Sequence, residues 1–287
     1  IKYTFRAPAC EAASITAFFS TSVTCDGIQI IILGANINLP QILLIKYFNI
    51  FFFFMTHHGG CSDGAYATMN STHYCGVSRE FVQENMMILR NLFPVPPRAL
   101  IVPHQTHSTN VRIISALPAE EELYDVDAVI THLPGYCVCV STADCIPVLL
   151  YDKRNLVVAA AHAGWRGTVG GIVQKTLTTM REEYGTDMND VLACIGPGIS
   201  LESFEVGDEV YESFSKAGYD MNRIAKKYDK WHIDLWEANR IQLEEVGVKH
   251  ANIETAGICT YKEYHDFFSA RRLGIKSGRI LSGIMLY

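Results

Sequence analysis

The stretch Val157-Val158-Ala159-Ala160-Ala161-His162-Ala163-Gly164-Trp165-Arg166-Gly167-Thr168 decides the fold. Its valines and alanines read as a strand, Gly164 and Gly167 as a loop, and Thr168 as the opening of a helix. Val169, Ile172, Val173, Leu177, Met180 and Tyr184 form one stripe of that helix before Gly185 stops it. Strand, glycine loop and helix place His162 and Arg166 beside a helix N-terminus, where backbone N–H groups and the helix dipole favour a phosphate or a developing oxyanion. The glycine segment lacks the Lys-Ser or Lys-Thr of a P-loop and does not match a dinucleotide fingerprint.

Outward from this unit the pattern repeats. Short apolar runs predict strands at 99–103, 111–115, 128–131, 136–141, 148–151, 156–161, 191–195 and 253–259. Ser78 predicts the cap of a helix with Val82, Met86, Leu89 and Phe93 on one face. Val206, Val210 and Phe214 mark another, ended by Gly218, and Asp234 with Glu237 three residues on opens a last one that stops at Gly247. Strands alternating with amphipathic helices predict an α/β protein, and no repeat or linker divides it.

Of 287 residues, 49% are hydrophobic and 19% charged, with 24 basic against 30 acidic side chains. This mildly acidic balance, without a Lys/Arg block, argues against nucleic acid or an anionic membrane as partner. Nine cysteines, an odd number in a chain this large, fit a reducing cytoplasm better than a disulfide scaffold. Residues 1–55 differ from the rest, with only five charges, Lys2, Arg6, Glu11, Asp26 and Lys46. Residues 28–54 are long and apolar enough to raise a membrane span, but Asn36, Asn38, Pro40, Lys46 and Asn49 divide them into strand-length pieces. A signal peptide is not expected, because no basic region precedes a short apolar run and cleavage site. We therefore read 1–38 as an N-terminal extension of uncertain role and 39–287 as a single domain.

Three polar clusters fall at predicted strand ends, where an α/β sheet displays its functional groups. They are His104-Gln105-Thr106-His107, Thr142-Ala143-Asp144-Cys145-Ile146-Pro147 and His162-Ala163-Gly164-Trp165-Arg166-Gly167. His107, Cys145 and His162 offer two imidazoles and one thiolate, a set that suits zinc or copper and leaves one tetrahedral position open. Their separations of 38 and 17 residues match no zinc-finger spacing. Asp144 reads either as a turn cap before Pro147 or as the carboxylate that orients a ligand histidine. Cys137 and Cys139 share a strand face and read as core, Arg271-Arg272 as a solvated pair or an anion clamp, and His57, His58 and His73 as loop or surface residues.

Together these segments resemble the polyphenol-oxidoreductase laccase family, also known as multifunctional purine nucleoside phosphorylases, which includes peptidoglycan editing factors. The matching pieces begin with Thr56-His57-His58-Gly59-Gly60-Cys61-Ser62, Tyr66, Asn70, Gln105-Thr106-His107, Asp127-Ala128, Thr142-Ala143-Asp144-Cys145 and His162 to Gly167. They continue with Ile195-Gly196-Pro197-Gly198-Ile199, Phe204-Glu205-Val206-Gly207, Asp234-Leu235, Cys259-Thr260, Phe267-Phe268-Ser269, Arg271-Arg272 and Gly278-Arg279. His57 stands where the family pattern has Arg, and residues 1–38 have no counterpart in it. The resemblance implies a cytoplasmic laccase-domain protein with a cysteine-hydrolase-like fold, a mixed α+β sandwich of mixed sheets flanked by helices. It implies zinc, with copper as the alternative metal, at His107, Cys145 and His162. It also implies phosphorolysis of adenosine, inosine and methylthioadenosine, and deamination of adenosine.

The partners expected are a purine nucleoside and phosphate, on a monomer or homodimer. Cys145, His162, His107, Asp144 and Arg166 are the expected catalytic residues, and Asn70, Arg166, Arg271 and Arg272 the expected substrate contacts. Rival readings are amide hydrolysis in cell-wall precursors, with Cys145 as nucleophile and His162 as base, copper-dependent phenol oxidation, and a non-catalytic zinc-stabilised module.

Overall fold

Every side chain of the Val157–Ala163 strand is buried, because both faces of its sheet are covered. In the computed structural model, residues 49–287 are described throughout. Of 1–48, only the backbone of Thr4–Arg6, Ser14–Thr16, Val23–Cys25, Ile28–Leu33 and Ile42–Tyr47 is described. Val157, Ala159, Ala161 and Ala163 face a helical layer, while Val158 and Ala160 face a second sheet. Period-two alternation explains the division. A strand buried on both sides has no polar face to show in its sequence.

Two mixed sheets pack face to face. The six-stranded sheet runs in the spatial order Ile253–Thr255, Val191–Ile195, Ile146–Asp152, Val157–Ala163, Ala128–Thr131 and Val111–Ile114. The seven-stranded sheet runs Val23–Cys25, Ile28–Leu33, Ile42–Tyr47, Ile50–Met55, Ile280–Leu286, Tyr136–Thr142 and Ala99–Ile101. Ile50, Phe54, Val138, Val140, Leu149, Tyr151 and Ile284 fill the space between them. The outer face of the first sheet carries helices Ile172–Tyr184, Asp208–Lys216 and Leu235–Glu245, and that of the second carries helix Arg79–Leu92. This is the expected mixed sandwich of sheets flanked by helices. The boundary drawn at residue 38 lies outside the described residues.

The helices form where their caps and stripes predict. The Ser78 side chain accepts the Phe81 N–H, and Asp234 accepts that of Glu237. Three expectations need correction. Thr168 does not open the long helix: Trp165–Val169 is a separate short helix, and Ile172–Tyr184 follows a left-handed glycine, Gly171. Val206 belongs to a short strand, and the helix after it begins at Asp208. The strand predicted at 253–259 stops at Thr255, after which Cys259 makes a single bridge to Gly198.

The central strand Ile280–Leu286 was not predicted, because Gly283 interrupts its apolar pattern. A glycine was required there by close packing, since a Cβ would lie 2.7 Å from Cys139 Sγ and 2.8 Å from the Phe53 ring. No described helix is long and apolar enough to cross a membrane. Gly283→Ala is expected to cost about 1–3 kcal/mol through overpacking, read as a lower urea midpoint with an unchanged slope.

Candidate active site

Strand register brings the functional residues together. Antiparallel pairing of Ile146 with Ala163 places Cys145 just past the end of the strand that carries His162. Pairing of Ala128 with Ala161 brings Asp127 beside His162, whose backbone N–H donates to the Asp127 carbonyl at 2.7 Å. His107 arrives from the segment between strands Ala99–Ile101 and Val111–Ile114, in a left-handed conformation with φ 64°.

Asp127 organises this convergence. Its fully buried carboxylate accepts His162 Nδ1 at 2.7 Å, the N–H groups of Thr106, His107 and Ser108 at 3.1, 3.1 and 2.8 Å, and the Ser108 hydroxyl at 2.8 Å. With Nδ1 committed, His162 offers Nε2 to a ligand. Burial alone would raise the Asp127 carboxyl, but the His162 hydrogen bond and charge, helped by Ser108 and Thr106, hold it down to about 2. Burial would likewise raise the Cys145 thiol, yet the His162 charge and hydrogen bonds from His107 and His162 lower it to about 6. Against its own burial, His162 is raised to about 9 by the Cys145 thiolate and Asp127. Without a metal, these shifts favour a thiolate facing an imidazolium near neutral pH.

The ligand atoms of His107, Cys145 and His162 lie within 4.8 Å of one another, and Cys145 Sγ is 3.6 Å from His107 Nε2. Tetrahedral zinc, with Zn–S of about 2.3 Å and Zn–N of about 2.05 Å, would separate S and N by about 3.6 Å. The donor set therefore suits zinc, and the Cys145–His107 separation matches it. Gly164 makes the approach possible, because a Cβ there would meet His107 Cδ2 at 2.7 Å and Cys145 Sγ at 3.0 Å.

All three residues line a cleft of about 500 Å³. Tyr74 and His104 lie in its wall, and the rings of His73, Tyr74 and His104 stack in sequence with centroids 4.2 and 4.0 Å apart. Arg271 and Arg279 also line it.

Several sequence expectations land elsewhere. Asp144 does not touch the ligand histidines: its carboxylate accepts the Thr260 hydroxyl at 2.8 Å and the Arg271 N–H at 2.7 Å, so orienting His162 falls to Asp127. Arg166 is exposed, stacks on Trp165 at 4.2 Å and is not among the cleft-lining residues. Arg272 packs on Tyr261 and Tyr264, also outside the lining. Asn70 is fully buried, donating to Thr72 O and accepting the Arg279 N–H, so it shapes the cleft from behind. His57 directs its ring nitrogens at the carbonyls of Ala67 and His265, and His58 pairs with Asp266 at 2.9 Å. Cys137 and Cys139 are core, as read, with sulfurs 3.7 Å apart.

Sequence reasoning gave no role to Asp127, Tyr74, His104 or Arg279. Asp127 carried two signals, its place in the family motif Asp127-Ala128 and its position immediately before the wholly apolar run Ala128-Val129-Ile130. Such an acid needs a built-in partner when buried.

Comparison with known proteins adds independent findings. Residues 51–287 match the family model described as multi-copper polyphenol oxidoreductase laccase. A purine nucleoside phosphorylase of Bacteroides thetaiotaomicron is 54% identical over 254 residues, covering 85% of this chain and 94% of that protein. Adenosine deaminase RL5, from an unknown prokaryotic organism, is 41% identical over 78% of this chain and 90% of its own length. Among solved structures, Bacillus licheniformis hypothetical protein YfiH superposes with a TM-score of 0.81 at 26% identity, over 88% of this chain and 98% of that one.

Asp127→Asn is expected to weaken zinc binding about 10–100-fold, measured by chelator competition, because the amide cannot accept the same set of donors. In chelated protein, alkylation of Cys145 is expected to rise through about pH 6 and level off by neutrality. An ordinary thiol would still be gaining reactivity near pH 8.5.

Proposed function

The chain belongs to the multi-copper polyphenol oxidoreductase laccase family, and on that premise we propose that it is a zinc-dependent purine nucleoside phosphorylase that also deaminates adenosine. The named activities of its relatives support this assignment. One observation carries it to the site: all three candidate ligands line the same cleft, so a metal held by them would stand at the wall of the space available to substrate. Zinc held there by His107, Cys145 and His162 would supply Lewis acidity toward the reacting oxygen.

The chain's own residues do the rest. Asp127 holds the Nδ1 proton of His162 and, through three backbone N–H groups, the conformation at His107. The aromatic wall of Tyr74 and His104 suits the flat face or edge of a purine. Zinc is proposed over copper because His107, Cys145 and His162 are the only such cluster among the described residues, whereas multicopper oxidation draws on several ligand sets. The seven described cysteines are all unpaired, which supports a cytoplasmic setting.

A second reading rests on the Cys145 thiolate beside His162, itself held by Asp127, a Cys-His-Asp arrangement fit for amide hydrolysis. The two readings diverge under chelation. Purified zinc-loaded protein is expected to release adenine from adenosine with phosphate and inosine without it, to lose both activities on chelation, and to regain them with zinc. Cys145→Ala is expected to fold and to turn over no nucleoside. A chelated protein that traps an acyl group on Cys145 would instead favour amide hydrolysis.

A further inference from the structure

The cleft carries an imbalance of fixed charge. Two arginines, Arg271 and Arg279, are among its lining residues with one acid, Asp144. That carboxylate is engaged, with one oxygen on Thr260 and the other on the Arg271 N–H. Neither arginine has an ion-pair partner among the described residues. Both are nonetheless held in place. Arg271 Nη1 donates to Glu205 O at 2.8 Å and its guanidinium lies over the Phe204 ring at 5.4 Å. Arg279 donates to the carbonyls of Ser277, Gly278 and Ile275 at 2.6, 3.0 and 3.0 Å. Carbonyl contacts orient a guanidinium and leave its charge uncancelled. Two oriented cations, neither within ion-pair distance of a carboxylate, favour an oxyanion, with Glu205 in electrostatic reach of Arg271.

Asp144 supplies the connection to the reactive end. It precedes Cys145 directly, and its φ of 83° is a conformation that a non-glycine residue holds only when its surroundings enforce it. Its carboxylate reaches the first turn of the Ala270–Leu273 helix, which Ser269 caps. The backbone that places the thiolate is thereby tied to the backbone that presents Arg271.

We propose that Arg271 and Arg279 form the phosphate subsite of this cleft and that Asp144, through the Arg271 N–H, is the positioning residue that fixes the subsite beside Cys145. The inference rests on the phosphorolysis reading. In that reaction an oxygen of hydrogen phosphate forms a bond to the ribose C1′ as the bond from C1′ to the purine nitrogen breaks. The electron pair leaves with the purine, which takes the phosphate proton, giving free base and ribose 1-phosphate. Arg271 and Arg279 hold the attacking anion in line while its charge is redistributed.

The test uses zinc-loaded protein and reads phosphate binding both by calorimetric titration without nucleoside and by steady-state kinetics. Arg271→Gln and Arg279→Gln are each expected to raise the phosphate Kd and KM about tenfold or more, while the adenosine KM moves less than about twofold. Arg271→Lys is expected to recover part of the loss. Asp144→Asn, which removes the carboxylate charge and leaves one acceptor oxygen for the two donors Thr260 O–H and Arg271 N–H, is expected to raise the phosphate KM similarly at unchanged zinc content. Unaltered phosphate binding in both glutamine variants would overturn the subsite. Zinc loss or a normal phosphate KM in Asp144→Asn would overturn the positioning role, and if that variant does not fold, Thr260→Val applies the same test from the other carboxylate oxygen. Wild-type protein that binds phosphate through these arginines but phosphorolyses no nucleoside would leave the subsite standing and remove the functional reading. Displacement of phosphate by lactate at lower concentration would reassign the subsite to a carboxylate, against the proposal.

Discussion

The Asp127 carboxylate is the constraint on which the centre depends. Buried without water, an unpaired carboxylate would be costly, and this one accepts three consecutive backbone N–H groups, a serine hydroxyl and the imidazole of His162. Those contacts turn the chain at Thr106 to Ser108 into a claw around one acid and hold His107 in its left-handed conformation. The same acid thus sets the backbone of one candidate ligand and the tautomer of another. Its strong acidity follows from this, since every donor around it favours the ionised form.

The layered fold explains why the centre sits where it does. Alanines at 159, 160 and 161 let a helical layer and a second sheet approach one strand from opposite sides. That strand is paired on both sides as it approaches His162, and the chain leaves it through a glycine with no side chain to push His107 and Cys145 apart. A ligand presented from such an element needs little further support. The opposite wall of the cleft is built differently, from the segment around the short Ala270–Leu273 helix, and is tied to the thiolate side through Asp144.

Much of this was legible in the chain, and the failures have physical causes. The Val-Ala run and the Ser78 and Asp234 caps read correctly because each is a local pattern with a local consequence, whereas the His-Cys-His set, spread over three segments, rested on donor chemistry and the family resemblance, and the structure brings its ligand atoms within 4.8 Å of one another. The family motifs extended that reading to the sheet-and-helix layers. The Ile280–Leu286 strand escaped because Gly283 is there for Cys139 and Phe53, residues distant in sequence. Asp144 was credited with the task of Asp127 because adjacency to Cys145 is visible in a sequence, whereas the pairing of Ala128 with Ala161 is not. Arg166 misled for a related reason. It lies beside His162 along the chain, but the short helix turns it outward onto Trp165, and the arginines that face the cleft come from more than a hundred residues later.

The three candidate ligands also differ in how far they lie from solvent: His162 is buried, Cys145 half-buried and His107 exposed. A centre graded in this way has a direction. A metal ion held there would meet solvent first at the His107 imidazole, with the Cys145 sulfur and the His162 ring further in. The speed at which such a site would load and empty follows access at that one edge, while its occupancy at equilibrium follows the full ligand set. Small molecules that crowd the mouth of the cleft would slow that exchange without touching the inner ligands.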